Sequence, residues 1–235
     1  AEVDFRVKVP DREAGDYLFG ARPEDEDDWR YTPTRELVGG NWGHNAFQPE
    51  ACNFCDDVVA ECADVSFGDA WLPQFTQDPR GTNVVISRNR SVDRLFDAGT
   101  AAGEISVFPL TASEAAESQA GGFRHRRAGL ALRLSDDLAR GLSVPRKRVA
   151  PDGAAVSPQR AALLRQRRHM AKISHLAFRK AREEGNLAHY LATMSNEIAR
   201  YRRLEGSIAI RVLRRIKRAA ISVFARTRYR RRSSE

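Results

Sequence analysis

The chain has 235 residues, of which 42% are hydrophobic and 30% are charged, a composition typical of a protein with a folded core. No apolar run approaches the length of about 18 residues that a transmembrane helix needs, so we predict none. Three cysteines are too few, and odd in number, for a disulfide framework. We therefore expect a cytoplasmic protein with thiol or metal chemistry.

The net charge of +8 conceals two halves of opposite sign. Residues 1–120 carry 10 Lys and Arg against 23 Asp and Glu, a net charge of −13, and residues 121–235 carry 29 against 8, a net charge of +21. This asymmetry favours a fit between the two halves, a basic tail for an acidic partner, or a solvated basic face. The basic half matches no DNA-binding motif, so nucleic acid ranks last among the expected partners.

The N-terminal residues predict short elements. Residues 3–9 alternate apolar and polar side chains, which is typical of a half-buried strand. Residues 10–30 are acidic and predict a loop. Residues 37–45 hold three glycines around Trp42, a pattern that suits a plain turn or a backbone that borders a ligand.

The middle of the chain continues in small units. Residues 83–87 predict a buried strand, residues 91–103 a helix capped by Ser91, and residues 104–110 another strand. A further helix is expected from Thr111 or Ser113. Strands and helices in this order predict an α+β fold, a small mixed sheet with flanking helices.

The C-terminal region is predicted to be helical and basic. Ser157 and Pro158 predict a helix start, and the apolar stripe of this helix includes Leu163, Leu176 and Phe178. A second helix is predicted from Asn186, with Leu187, Tyr190, Leu191, Met194, Ile198 and Tyr201 on its apolar side.

A third predicted helix begins at Ser207 and has an arginine-rich face. Such a basic amphipathic helix suits peripheral contact with an anionic surface, a partner protein, or the acidic half of its own chain. Residues 142–152 are typical of a linker or of a strand followed by a turn. We therefore predict two domains, residues 1–150 and a basic helical extension over residues 151–235.

All three cysteines lie within the segment from Phe47 to Trp71. Cys52 and Cys55 form a C-x-x-C, the spacing at which two thiolates reach one metal ion or cluster, and Cys62 follows. A complete site normally needs four ligands, so three cysteines fall short.

A second candidate site follows two flexible residues, Gly121 and Gly122. After Phe123 come Arg124 and His125, at the start of a run of four basic side chains. Cationic groups beside flexible backbone suit a bound phosphate, and a solvated basic helix start is the alternative.

The sequence resembles the C-terminal domain of coenzyme F420 hydrogenase/dehydrogenase beta subunits over roughly residues 3–130. The resemblance depends on the FRVK strand, on the block Cys52-Asn53-Phe54-Cys55-Asp56, and on the A-D-V-S-F-G-D segment that ends at Asp69. The region from Ser118 to Leu134 and the following PRKRV are similar to a bacterial branch of this family.

This resemblance implies an oxidoreductase that moves electrons between a [4Fe-4S] cluster, FAD and coenzyme F420 or another organic substrate. It implies that Cys52 and Cys55 are cluster ligands. Cys62 stands where relatives have an apolar residue, which favours a buried packing cysteine over a third ligand.

The resemblance also places four residues near the flavin: Asp64, Ser66, Gly68 and Asp69. It implies an upstream ferredoxin-like cysteine motif and a further domain. We expect a missing N-terminal domain or a redox partner protein to supply them.

One alternative function is a structural zinc module, in which Cys52, Cys55, Cys62 and His44 or an outside ligand hold the metal. The basic tail would then bind a partner protein or an acidic surface. A hydrolase finds no support, because the sequence has neither G-x-S-x-G nor H-E-x-x-H.

Overall fold

A computed structural model describes residues 1–206 and shows an α+β fold. Two small antiparallel sheets occupy the first 90 residues, and six α-helices follow them. The predicted fold class is confirmed, although both sheets are antiparallel where a mixed sheet was expected. The helix predicted from Ser207 lies outside the described residues.

The first sheet has three strands in the order β1-β2-β3, namely β1 (Glu2–Val7), β2 (Leu18–Arg22) and β3 (Arg30–Pro33). Phe5 of β1 packs against Phe19 of β2, with ring centroids 5.7 Å apart. Nevertheless Phe5 is 68% exposed, so the prediction of a half-buried first strand was wrong.

The second sheet is a two-stranded ribbon of β4 (Val65–Asp69) and β5 (Asn83–Ser87). Val84 is the buried residue of β5 and faces Gly68 across the ribbon. The strand predicted over residues 83–87 is thus confirmed, but most of it is not buried.

Three short 3₁₀ helices lie between the two sheets along the chain: Thr34–Glu36, Trp42–His44 and Glu50–Phe54. Four α-helices follow β5, and these are α1 (Arg90–Ala101), α2 (Ala112–Ser118), α3 (Ala120–Arg126) and α4 (Ala128–Ala139).

Two details of this region differ from the sequence prediction. Asn89, not Ser91, caps α1, because its side chain accepts a hydrogen bond from the N–H of Ser91. The strand predicted over residues 104–110 is wrong. The N–H groups of Glu104 and Ile105 donate to the carbonyl of Gly99, so this segment turns back on α1 instead of pairing with a strand.

The remaining helices form a long antiparallel pair, α5 (Pro158–Glu183) and α6 (Leu187–Leu204). Ser157 and Asn186 cap them as predicted. Met170 and Met194 are completely buried between the two helices. Residues 1–206 contain no helix that is both long and apolar enough to cross a bilayer.

The helical pair also packs against the first half of the chain. Val38 and Ala46 contact its core. The ring of Phe47 stacks on that of Tyr190 at 5.6 Å, and the N–H of Phe47 donates to Ser174 Oγ at 2.7 Å. The segment before the cysteines is therefore fixed by α5 and α6.

Candidate functional site

A cavity of about 510 Å³ lies where β1, the Trp42–His44 helix and the end of β4 meet. Aromatic side chains line it, and these are Tyr17, Trp42, Trp71 and Phe75. Cationic side chains from Arg6, Lys8 and Arg80 complete the lining. Its volume is within the range of about 300–1,000 Å³ that is typical of small-molecule sites.

Cation–π contacts hold two of the cavity's basic side chains against its aromatic rings. The guanidinium of Arg6 lies 5.7 Å from the ring centroid of Tyr17 and 6.0 Å from that of Trp42. Lys8 Nζ is 5.4 Å from the ring of Tyr17 and donates to the carbonyl of Ala14 at 2.8 Å. Trp42 is 78% exposed, so one face of its ring is open to a ligand.

Asp69 is the residue of the cysteine-containing segment that reaches this cavity together with Trp71. Its carboxylate lies 3.6 Å from Arg6 Nη1, and its carbonyl accepts a hydrogen bond from Gln119 Nε2 at 2.7 Å. Gly68 lies against the same glutamine, since a Cβ there would be 3.2 Å from Gln119 Nε2. Asp69 is therefore positioned from both sides.

Asp64 and Ser66 do not line the cavity, although sequence reasoning grouped them with Asp69. The carboxylate of Asp64 accepts a hydrogen bond from Asn89 Nδ2 at 2.9 Å. Ser66 Oγ lies 3.5 Å from Arg88 Nη1, which also donates to the carbonyl of Ala63. Both side chains hold the connection between the ribbon and α1.

The cysteine segment is instead surrounded by guanidinium groups. Arg126 Nη1 lies 3.1 Å from Cys55 Sγ and also donates to the carbonyl of Asp57. Arg127 Nη1 donates to the carbonyl of Asp56 at 2.6 Å. These two arginines thus join the last helical turn of α3 and its C-terminal end to the segment around Cys55.

Asp56 and Glu61 bind the basic segment that follows α4. The backbone N–H of Arg148 donates to Asp56, and this bond is the main cause of the lowered pKa of the Asp56 carboxyl. Lys147 Nζ lies 3.6 Å from the same carboxylate, and Arg148 also binds Glu61. The acidic cysteine segment and the basic linker are thus held together by ion pairs.

The described part of the chain does not assemble a metal site from these cysteines. Cys52 and Cys62 are exposed and Cys55 is half-buried, and residues 1–206 contain no group of three or more His, Cys, Asp and Glu side chains suited to a metal ion. The exposure of Cys62 corrects the expectation of a buried packing cysteine. His44 packs edge-on against Tyr201, which places it in contact with α6.

Arg124 and His125 lie near the end of α3, and neither lines the cavity. Burial, and then the charges of Arg133 and Arg167, lower the pKa of His125 to about 4, so its imidazole is neutral at pH 7. Arg133 is 3% exposed, and burial is the main cause of a pKa lowered to about 10.

Sequence reasoning missed most of the cavity residues. Arg6, Lys8 and Tyr17 lie 25 or more positions before Trp42, and Arg80 lies 38 positions after it, so only the fold brings them together. One signal was present, since Arg6 and Lys8 alternate along the FRVKV run and therefore share a face.

The fold and the cavity together define a small α+β protein with a site sized for a small molecule. Residues 11–113 match the family model that describes the C terminus of the beta subunit of coenzyme F420 hydrogenase/dehydrogenase. The resemblance is therefore confirmed for this segment, which includes Trp42, Asp69 and the three cysteines. The family is one of oxidoreductase subunits. No curated protein and no solved structure matches the chain.

Proposed function

We propose that the cavity binds a flat aromatic cofactor of the flavin or deazaflavin class, and that the chain is an oxidoreductase domain. In this proposal it transfers electrons between a reduced cofactor of the F420 or ferredoxin type and an organic acceptor. The observation that carries the proposal is the lining itself, in which aromatic rings and cations surround one carboxylate.

The lining suits such a cofactor in two ways. The rings of Trp42 and Trp71 offer faces on which an isoalloxazine or deazaflavin ring would stack. Arg6, Lys8 and Arg80 supply charge for the phosphate groups that both cofactor classes carry. Asp69 lies beside Arg6 and so limits the positions open to an anionic group.

When bound, a flavin or deazaflavin supplies the hydride-transfer chemistry. The contribution of the chain is to hold and orient the ring and to keep the Asp69–Arg6 pair beside it. A redox partner protein or an upstream domain, and an organic substrate, complete this proposal.

The proposed mechanism does not include an iron–sulfur cluster, because residues 1–206 do not bring three candidate ligands together. Cys52 and Cys55 offer two thiolates. Further ligands from a partner protein or from another segment would be needed to complete a cluster. The zinc alternative finds no assembled set in the same residues, since His44 contacts Tyr201 on α6.

The test is a titration of the protein with FAD, FMN and coenzyme F420, followed by quenching of cofactor and tryptophan fluorescence. Wild-type protein should bind at least one of the three at a ratio of one to one. Arg6→Gln removes a cation from the cavity. The dissociation constant of the cofactor from this variant should be about tenfold higher than from the wild type, the effect expected for one lost charge-assisted contact.

Arg22→Gln is the matched control. Arg22 also lies on a strand of the first sheet and also covers a tryptophan, with its guanidinium 5.6 Å from the ring of Trp29, but it does not line the cavity. The control should change binding by less than about twofold. Equal losses in the two variants, or bound zinc and no cofactor affinity in the wild type, would overturn the proposal.

A further inference from the structure

Two arginines of α5 share one face, because Arg160 and Arg167 are seven residues, or two helical turns, apart. Arg167 donates through Nε and Nη2 to the hydroxyl of Tyr201, at 3.2 and 2.7 Å. Arg165 lies on another face and forms a two-fold ion pair with Asp136. The arginines of α5 therefore differ in their partners. Arg165 pairs with a carboxylate, whereas Arg167 binds a tyrosine hydroxyl.

The junction between α3 and α4 rests on α5 between Arg160 and Arg167. A Cβ on Gly129 would lie 3.4 Å from Leu164 Cδ1 and 3.4 Å from the carbonyl of Arg124. Since Leu164 is one turn after Arg160 and one turn before Arg167, the last turn of α3 is brought to the same face of α5.

The electrostatic surroundings agree with this placement. Burial lowers the pKa of Arg160, and the charges of Arg167 and Arg124 lower it further. The pKa of His125 is likewise lowered by burial and then by cationic neighbours, among them Arg160 and Arg167. The charges of Arg124 and Arg167 thus act on Arg160, and those of Arg160 and Arg167 act on His125, across the contact that Gly129 and Leu164 mark.

Arg124, Arg160 and Arg167 form no salt bridge with a carboxylate of residues 1–206. Across residues 1–206 the guanidinium groups of Arg124 and Arg160 form no ion pair or side-chain hydrogen bond. Clustered guanidinium groups repel one another, and an anion between them would relieve that repulsion.

Buried donors without partners point to the same junction. Arg133, which is 3% exposed, donates from Nε to the carbonyl of Asn53 and from Nη2 to that of His125, but its Nη1 has no partner in residues 1–206. A Cβ on Gly129 would be 3.3 Å from this Nη1, so the free donor faces the glycine that touches Leu164. His125 Nδ1 is also buried without a partner there.

We propose that Arg124, His125, Arg160 and Arg167 form a binding site for the phosphate group of a small soluble molecule, with Arg133 behind them. A tetrahedral dianion suits several converging guanidinium forks, whereas one carboxylate is satisfied by a single fork. His125, neutral at pH 7, adds a hydrogen bond from its ring N–H.

This site is separate from the aromatic cavity and does not rest on the proposed redox function. The Trp42–His44 helix contacts both, since Trp42 lines the cavity and a Cβ on Gly43 would be 3.3 Å from Arg167 Nη2. Arg6→Gln alters the cavity, so Arg160→Gln should weaken phosphate binding by the same factor with or without the Arg6→Gln substitution.

Inorganic pyrophosphate is the probe for the test, and isothermal titration calorimetry of the full chain at low salt is the measurement. The wild type should bind at least one equivalent, and Arg160→Gln should weaken the affinity of one site about tenfold or more. The guanidinium of Arg160 has no protein partner in residues 1–206, so this substitution removes no described contact of that group.

Arg165→Gln is the matched control, because it removes the same charge from the same helix. It should change the affinity by less than about twofold. Equal weakening by both substitutions would overturn the proposal, as would a wild type that does not bind pyrophosphate. Binding only to vesicles that contain phosphatidylglycerol would overturn the assignment to a soluble phosphate.

Discussion

The helical pair and the two sheets differ sharply in how completely they bury apolar side chains. Met170 and Met194 are fully buried between α5 and α6, and Leu132 of α4 is equally inaccessible. In the sheets, by contrast, Phe5 is 68% exposed and Phe67 is 62% exposed. Large apolar side chains are thus enclosed in the helical region and left largely open to solvent in the sheets.

This difference suggests that the stability of the fold and the binding of a ligand depend on different regions of the molecule. A sheet of two or three strands covers only part of its apolar surface, so it leaves open aromatic faces and a cavity. The family match over residues 11–113 falls on this thinly covered region, whereas most of the buried side chains lie C-terminal to it. We infer that the helices hold the fold while the sheets present the ligand site.

The largest expected effect tests that division directly. Met194→Ala leaves a cavity in the helical core and should lower the free energy of unfolding by about 2–5 kcal/mol. Phe67→Ala removes a larger side chain from an exposed position and should cost less than about 1 kcal/mol. Urea denaturation of both variants measures the difference. A loss at Phe67 as large as that at Met194 would mean that the ribbon carries stability too.

A smaller effect is expected at the acidic residue that joins α4 to α5. Asp137 is 1% exposed and accepts hydrogen bonds from Arg168 and Arg140. Asp137→Asn should lower the free energy of unfolding by about 1–3 kcal/mol at pH 7, because two guanidinium groups lose a charged partner.

The neighbouring Asp136→Asn is its control, since Asp136 pairs with Arg165, whose side chain is 57% exposed. A surface pair of this type should contribute less than about 1 kcal/mol.

Burial raises the pKa of Asp137, but hydrogen bonds from Arg168 and Arg140 outweigh it, so the pKa is lowered overall. The stabilisation that the Asp137 carboxylate provides is thus fully present above its pKa in the unfolded chain, about 3.9. It is lost as the pH falls through the lower pKa of Asp137 in the folded protein. Denaturation curves of wild type and Asp137→Asn should converge at low pH, and a constant difference would contradict this origin.

Helix ends were the most predictable part of the fold, because capping is a local property. Ser157 and Asn186 cap α5 and α6, and Thr111 forms a capping box with Glu114 at α2. The residues that form the buried face of α5 were harder to predict. Leu176 and Phe178 were assigned to the apolar stripe of α5, yet they are 40% and 39% exposed.

Small residues explain that error. The buried side of α5 includes Ser174, Ala177 and Ala181, which allow α6 to approach closely, and a search for large apolar side chains overlooks them. The cavity was unpredictable for a different reason. Arg6, Tyr17 and Arg80 meet only through the non-local arrangement of the sheets, and no spacing along the chain encodes that meeting.

The smallest effect concerns His125, at the junction where α3 meets the helical pair. Its pKa is lowered from 6.5 to about 4 by burial and by surrounding arginines. The unfolded chain therefore binds a proton at a higher pH than the folded one does, and stability falls as pH decreases from about 6.5 to 4. We expect this residue to account for about 1–2 kcal/mol of that loss, discounted for its partial exposure.

His125→Asn should remove that part of the loss between pH 6.5 and 4, measured as the free energy of unfolding across the pH series. The exposed His175 of α5 is the matched control, and in His175→Asn the loss should persist. If both variants keep the wild-type slope, the junction is more open to water than the buried Nδ1 of His125 indicates. A slope that disappears only in His125→Asn would show that burial and the surrounding arginines are what hold that imidazole neutral.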